Sequence, residues 1–222
     1  MYILIAGGGI LGRNIAKALV KRHDVVVIDK DRKICENIYS NYGAVTVNGD
    51  ATKLEILKEA GIEKCDIALG VMPNDANNLA FTILSKNFNV EKIFVRMREP
   101  EYKSAYEIAG ATNMAAGVDM LVDKFVMDIE QPEIRRVASF SNGKAEVSII
   151  TIPTKAKCSG KTISEVAQLK SFPKNCVIAG IFDQENDKLI IPRGNRRIYS
   201  NNQVFLVGTK ESIAGAAKLL MN

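Results

Sequence analysis

The chain has 222 residues, 47% of them hydrophobic, and a formal net charge of +5. That is enough apolar material for real cores, and the length suits a large domain with a smaller companion. No apolar run approaches the roughly 20 residues that a membrane-spanning helix needs, and no basic leader precedes the first strand, so the expectation is a cytoplasmic protein.

Cys35, Cys65, Cys158 and Cys176 are scattered, without a Cys-x-x-Cys pair, and there is one histidine. They read as reduced, mostly buried thiols, and no transition-metal pattern emerges. Through Pro132 there are 16 Lys and Arg against 18 Asp and Glu, and beyond it 14 against 7. The basic second half has its cations spread along the sequence without a nucleic-acid signature. It implies a solvated basic surface or a small-anion site, and no nucleic-acid partner.

In chain order, an apolar run at Tyr2–Ala6 enters Gly7-Gly8-Gly9-Ile10-Leu11-Gly12-Arg13, and a helical pattern leaves it from Ile10. A second apolar run ends in Asp29. Strand, Gly-x-Gly-x-x-Gly turn, helix, strand and acid in this order form a dinucleotide-binding pattern. Gly7 permits the tight turn, Gly9 the approach of a pyrophosphate, and Gly12 close helix packing. The helix start offers free N–H groups and a positive dipole end. Asp29 suits ribose hydroxyls, and its charge disfavours a 2′-phosphate.

Further strands are expected at Ala44–Val47, Ile67–Val71, Ile93–Arg96 and Asn113–Ala116, with helices beginning near Asp31, Lys53, Asp75 and Glu101. Alternation of this kind gives a doubly wound, Rossmann-like α/β domain with a parallel sheet. Ligands then lie beyond the carboxyl ends of the strands. On that edge fall Asp50 and Ala51 after the third strand, Met72 and Pro73 after the fourth, and Arg96 and Arg98 at the end of the fifth. Asp50 with its neighbouring backbone suits the adenine side, and Met72 and Pro73 a wall. Arg13, Arg96 and Arg98 are phosphate candidates, each also compatible with a surface ion pair.

A helix carrying Met120, Leu121, Val122, Phe125, Val126 and Ile129 runs to Glu130, apolar enough for intramolecular packing or a dimer contact. Gln131-Pro132 marks its stop and a hinge, which divides the chain into residues 1–132 and 133–222. The second part reads as a small α+β unit. Strands are expected at Ala145–Ile152, Cys176–Phe182, Lys188–Ile191 and Gln203–Gly208, a short helix at Thr162–Ala167 and a terminal helix at Lys210–Met221. Three arginines cluster at Pro192–Arg197, a chemistry suited to phosphates, although a solvated basic loop is the simpler explanation.

Beyond the glycine turn, the first part contains Val27-Ile28-Asp29, Asn48-Gly49-Asp50-Ala51-Thr52, Asn74-Asp75-Ala76-Asn77-Asn78-Leu79 and Val95-Arg96-Met97-Arg98. The second contains Ser159-Gly160-Lys161-Thr162-Ile163-Ser164-Glu165-Val166. In these segments the chain resembles, over essentially its whole length, the Trk/Ktr-type potassium-uptake regulatory subunits (TrkA/KtrA family), built on a regulator-of-potassium-conductance (RCK) module. It departs from the family at Asp183-Gln184 and Asn201-Asn202. The resemblance implies a cytoplasmic, non-enzymatic subunit that binds NAD(H) or ATP/ADP in its first domain. It also implies assembly as a homodimer or larger ring, acting on a separate membrane potassium-translocating subunit of the TrkH/KtrB kind. A second small ligand in the carboxyl-terminal domain is a further implication.

A small NAD-dependent oxidoreductase is the competing expectation. It requires a proton donor or acceptor near the nicotinamide. His23 precedes the second strand at the wrong end of the sheet, and no Tyr-x-x-x-Lys pair is present. A redox-responsive transcription factor lacks a helix-turn-helix pattern.

Overall fold

A computed structural model describes residues 1–140 and 144–222, which form two compact units, Met1–Met120 and Leu121–Asn222. The first unit contains strands β1 (Tyr2–Ala6), β2 (Asp24–Asp29), β3 (Val45–Asn48), β4 (Ile67–Gly70), β5 (Lys92–Met97) and β6 (Asn113–Ala116). Between them lie helices α1 (Ile10–Leu19), α2 (Arg32–Tyr42), α3 (Leu54–Glu59), α4 (Asp75–Asn87) and α5 (Lys103–Ala109). Helix α6 (Gly117–Glu130) follows.

All six strands are parallel, in the order β3-β2-β1-β4-β5-β6. This is the doubly wound order, and the chain reverses direction across the sheet between β1 and β4. Val25 to Ile28 are all buried, as expected of a strand covered on both faces. Alternation along β1 sends Leu4 and Ala6 into one core with Ile28, Phe81 and Ile93, and Ile3 and Ile5 into another with Val27 and Ile38.

The second unit carries β7 (Ile134–Phe140), β8 (Ala145–Thr151), α7 (Ile163–Ala167), β9 (Cys176–Asp183), β10 (Lys188–Ile190), β11 (Gln203–Gly208) and α8 (Lys210–Met221). Its sheet is antiparallel, in the order β10-β9-β11-β8-β7. Ile150, Ile152, Val166, Ile181, Val204, Leu206, Ile213 and Leu220 share its core. Helix α7, too short to persist alone, starts with a capping box in which Thr162 and Glu165 satisfy each other's backbone N–H groups.

Two expectations are modified. Strand β7 has no counterpart in the sequence reading: it is an edge strand with a bulge between Arg136 and Ala138, and its apolar alternation is broken there. The sequence sets the domain boundary at Gln131-Pro132, where α6 indeed stops. The compact units instead divide inside α6, so most of that helix counts with the second unit.

Candidate functional site

The glycine turn leaves β1 at the point where that strand is flanked by the ends of β2 and β4, because Ala6 pairs with both Ile28 and Gly70. Gly7 has φ +106° and donates its N–H to the Ile28 carbonyl at 2.8 Å. A Cβ on it would sit 3.1 Å from the Val71 and Met72 backbone, so both conformation and space demand glycine. A Cβ on Gly12 would lie 1.8 Å from the Gly7 carbonyl oxygen, which is how closely α1 crosses the turn.

Gly9 is different. Its φ is −59°, and a Cβ there would meet nothing within 4 Å. What Gly9 offers is open space, in keeping with the expected approach of a pyrophosphate. It is the N-cap of α1, without a side chain to satisfy the first-turn N–H groups and without an acidic residue in that turn. Ile10 and Leu11 are exposed there, unusual for large apolar residues, and Arg13 is exposed one turn into the helix.

Asp29 closes the other side. Its Oδ2 accepts the Gly8 N–H at 2.6 Å and its Oδ1 accepts the Asp31 N–H at 2.8 Å. A carboxylate has about four lone-pair sites, so acceptor capacity remains for ribose hydroxyls. Below it Asn48 Nδ2 donates to the Asp29 and Lys30 carbonyls, both at 3.0 Å, tying the exit of β3 to that of β2. Asp50 pairs with Lys30 at 3.1 Å and accepts the Thr52 N–H and hydroxyl. Burial raises the Asp50 pKa, but the Thr52 donors and the Lys30 ammonium outweigh it, holding the carboxyl below its ordinary range.

Ala51 and Met72 are buried in the first core, so each offers backbone rather than side chain to the edge. Met72 thus packs its side chain inward at the point expected to form a wall, and Pro73 is exposed beside it. Asn78, fully buried on α4, accepts the Met72 N–H at 2.9 Å and donates to the Met72 and Arg96 carbonyls. It thus sews the ends of β4 and β5 together. Arg96 is the penultimate residue of β5 and half-buried. Arg98 lies one residue past Met97 at the strand end, and its Nη1 donates to the Pro73 carbonyl at 3.1 Å rather than standing free. The helix expected near Asp75 is α4, and the hydrogen bonds of Asn78 within the Asn74–Leu79 segment have no signature in the apolar pattern. The structure makes this segment a clamp on the strand exits.

The four cysteines are free, three of them buried. Burial pushes the Cys65 and Cys176 thiols up to about 11 and raises Cys35 and Cys158 as well, the reverse of what a thiolate nucleophile needs. Among the described residues no group of His, Cys, Asp and Glu is arranged to hold a metal ion, and no helix is long and apolar enough to cross a membrane.

A parallel sheet in this order, with a glycine turn facing an acid at the end of the second strand, defines a Rossmann-type nucleotide-binding domain. The chain matches the family model of the TrkA-N domain over residues 3–116 and that of the TrkA-C domain over residues 147–221. It belongs to the TrkA family. It is 30% identical over 220 residues to a Trk system potassium uptake protein TrkA homolog of Archaeoglobus fulgidus, covering 96% of this chain and 48% of that one. It is 25% identical over 219 residues to a protein of the same description from Methanothermobacter thermautotrophicus, covering 98% of each. The chain therefore spans about half the length of the first relative and nearly all of the second.

Among solved structures, the fold is shared with the GsuK RCK domain, with a TM-score of 0.64 and 18% identity over 100% of this chain and 48% of that one. It is shared equally with the GsuK channel bound to NAD, with a TM-score of 0.63 and 18% identity over 100% of this chain and 39% of that one.

Proposed function

We propose that this chain is a non-enzymatic, nucleotide-binding regulatory subunit that gates a separate membrane potassium-translocating protein. The ligand is NAD(H) or ADP/ATP, seated with its phosphates over Gly9 and the first turn of α1 and a ribose on Asp29. The observation that carries this reading is the combination of open space at Gly9, uncapped N–H groups beside it, and an acid fixed against the same turn. Gly7, Gly8, Ile10, Leu11, Gly12 and Arg13 complete the phosphate side. Asp50 and the Ala51 backbone serve the adenine side, and the Met72 backbone, Pro73, Arg96 and Arg98 the second half.

Binding acts by population shift: a nucleotide with unequal affinity for two arrangements of an assembly moves the balance between them. In this reading the subunits form dimers or a larger ring at the cytoplasmic face of the membrane, where their TrkH/KtrB-like partner conducts the ion. We place the domains at residues 1–132 and 133–222, with the stop of α6 at Gln131-Pro132 as the hinge, a boundary that falls later than the division of the compact units after Met120. In this reading the chain binds its ligand without reacting it, and His23, which precedes β2, lies at the end of the sheet opposite the ligand edge.

Calorimetric titration of the purified protein with NAD, NADH, ATP and ADP, beside an assay for NADH turnover, tests this directly. Saturable binding without turnover supports it. No binding of any of the four, or sustained oxidation of NADH, overturns it.

A further inference from the structure

Asp75, the first residue of α4, is a carboxylate only 5% exposed. The Arg98 N–H lies 3.1 Å from each of its oxygens, and the Glu99 N–H donates to Oδ2 at 2.9 Å. The Tyr106 hydroxyl donates to it from α5, 2.9 Å from Oδ1. Tyr106 is wholly buried, and burial first, then the Asp75 carboxylate, raise its pKa, so that it remains a donor across the physiological range.

A buried charge is retained at a cost, and an apolar residue would fill the same space more cheaply. What the carboxylate adds is a fixed backbone at Arg98 and Glu99, just beyond β5. That backbone sets where the Arg98 side chain starts, and the guanidinium ends on the Pro73 carbonyl. Pro73 follows Met72, whose peptide groups are held by Asn78 from the same helix. The start of α4 therefore fixes both ends of the Arg98 fork. One guanidinium donor is used on Pro73, and of five N–H groups the rest are available to an anion in a planar, preorganised array.

We propose that Asp75 and Tyr106 are positioning residues for a phosphate-bearing ligand, acting through Arg98: they hold its backbone so that the guanidinium is presented, already ordered, at the exit of β4. This rests on the nucleotide-binding reading above. The ligand chemistry is an anionic phosphate group, and NAD and ADP serve as the probes because the two place different groups beyond the shared diphosphate.

The test is a double-variant cycle on the full chain, with Asp75→Asn, Arg98→Ala and both together, and Tyr106→Phe as an independent variant. Dissociation constants for NAD and ADP are read by calorimetry and thermal midpoints in parallel. Asp75→Asn and Arg98→Ala are each expected to weaken binding roughly ten-fold, the scale of one hydrogen bond to a charged group. The double variant is expected to bind no more weakly than Arg98→Ala alone, because Asp75 has nothing left to position. Tyr106→Phe, which leaves the Arg98 and Glu99 contacts in place, is expected to weaken binding less than Asp75→Asn.

A purely structural Asp75 gives multiplied losses, about a hundred-fold in the double variant, and overturns the proposal. So does parental affinity in folded Asp75→Asn or, should that variant fail to fold, in Tyr106→Phe. If the parental protein binds neither probe, the nucleotide-binding reading fails and this one with it. Parental binding with unaltered variants removes this one alone.

Discussion

The backbone N–H of Gly8 lies 2.6 Å from Asp29 Oδ2, joining the glycine turn after β1 to the acid at the end of β2. A Cβ on Gly8 would also stand 3.2 Å from that oxygen and under 3 Å from Ile34 and Ile38. The carboxylate thus reaches the turn only because Gly8 has no side chain. Asp29→Ala is expected to weaken nucleotide binding by about 1–3 kcal/mol, the range for charge-assisted hydrogen bonds. It should also lower the thermal midpoint of the free protein, since the N–H groups of Gly8 and Asp31 lose their acceptor. Calorimetry and a melt check the two effects separately.

Gly9 and Gly12 should respond oppositely to substitution. A Cβ at Gly9 meets nothing and the φ is ordinary, so Gly9→Val is expected to fold, with a loss of about 1 kcal/mol for a β-branched N-cap, and to lose nucleotide binding because the side chain takes the phosphate's space. Gly12→Ala drives a methyl into the Gly7 carbonyl and should destabilise the fold by several kcal/mol, on the order of 3. Urea unfolding of both variants beside a binding titration distinguishes the roles.

Asp50 makes a pH-dependent contribution of definite sign. Its folded-state pKa is depressed, so the stability it adds is fully present above the unfolded value, about 3.9, and is lost as pH falls through the lower folded value. The difference in urea midpoint between the parental protein and Asp50→Asn should be constant from neutrality to about pH 5 and shrink below about pH 4. A difference that grows on acidification contradicts the assignment.

Glu146, only 1% exposed, pairs with Arg136 across the β7–β8 edge. Removing Glu146 leaves the half-buried Arg136 guanidinium without its partner, so Glu146→Ala is expected to cost about 2 kcal/mol, less than for a fully buried pair. Replacing both with apolar residues should cost far less. Equilibrium unfolding of the single and double variants measures this.

Residues Val118, Met120, Leu121, Val122, Phe125, Val126 and Ile129 on α6 are all exposed, an apolar surface of the kind that marks association. Light scattering is expected to give a dimer or larger ring, and Phe125→Glu to shift it toward monomer. A monomer at every concentration, with and without nucleotide, removes the assembly from the functional reading.

The sheet strands of the first unit were legible because each is short, apolar and bounded by turn residues. Tyr2–Ala6 and Asn113–Ala116 coincide with expectation, as do Gln203–Gly208 and Lys210–Met221 in the second unit. Strand β7 was not legible: at an edge, with charged Arg135 and Arg136 and a bulge, it gains its identity from pairing with β8. Likewise, nothing in the spacing of Asn74, Asp75 and Asn78 says that they hold the exits of β4 and β5.

The sequence by itself determined the alternating, parallel α/β character of the first domain, the glycine turn and the acid at the end of the second strand. Those depend on local apolar periodicity and on backbone space within about thirty residues. Only the tertiary structure decided which edge residues are available to a ligand. It buried Met72 and Ala51 in the core, turned Arg98 back onto Pro73, left open space at Gly9, and gave Asp75 its partners from two later elements. Each is a relation between segments distant along the chain, set by the parallel sheet that brings their ends to one edge.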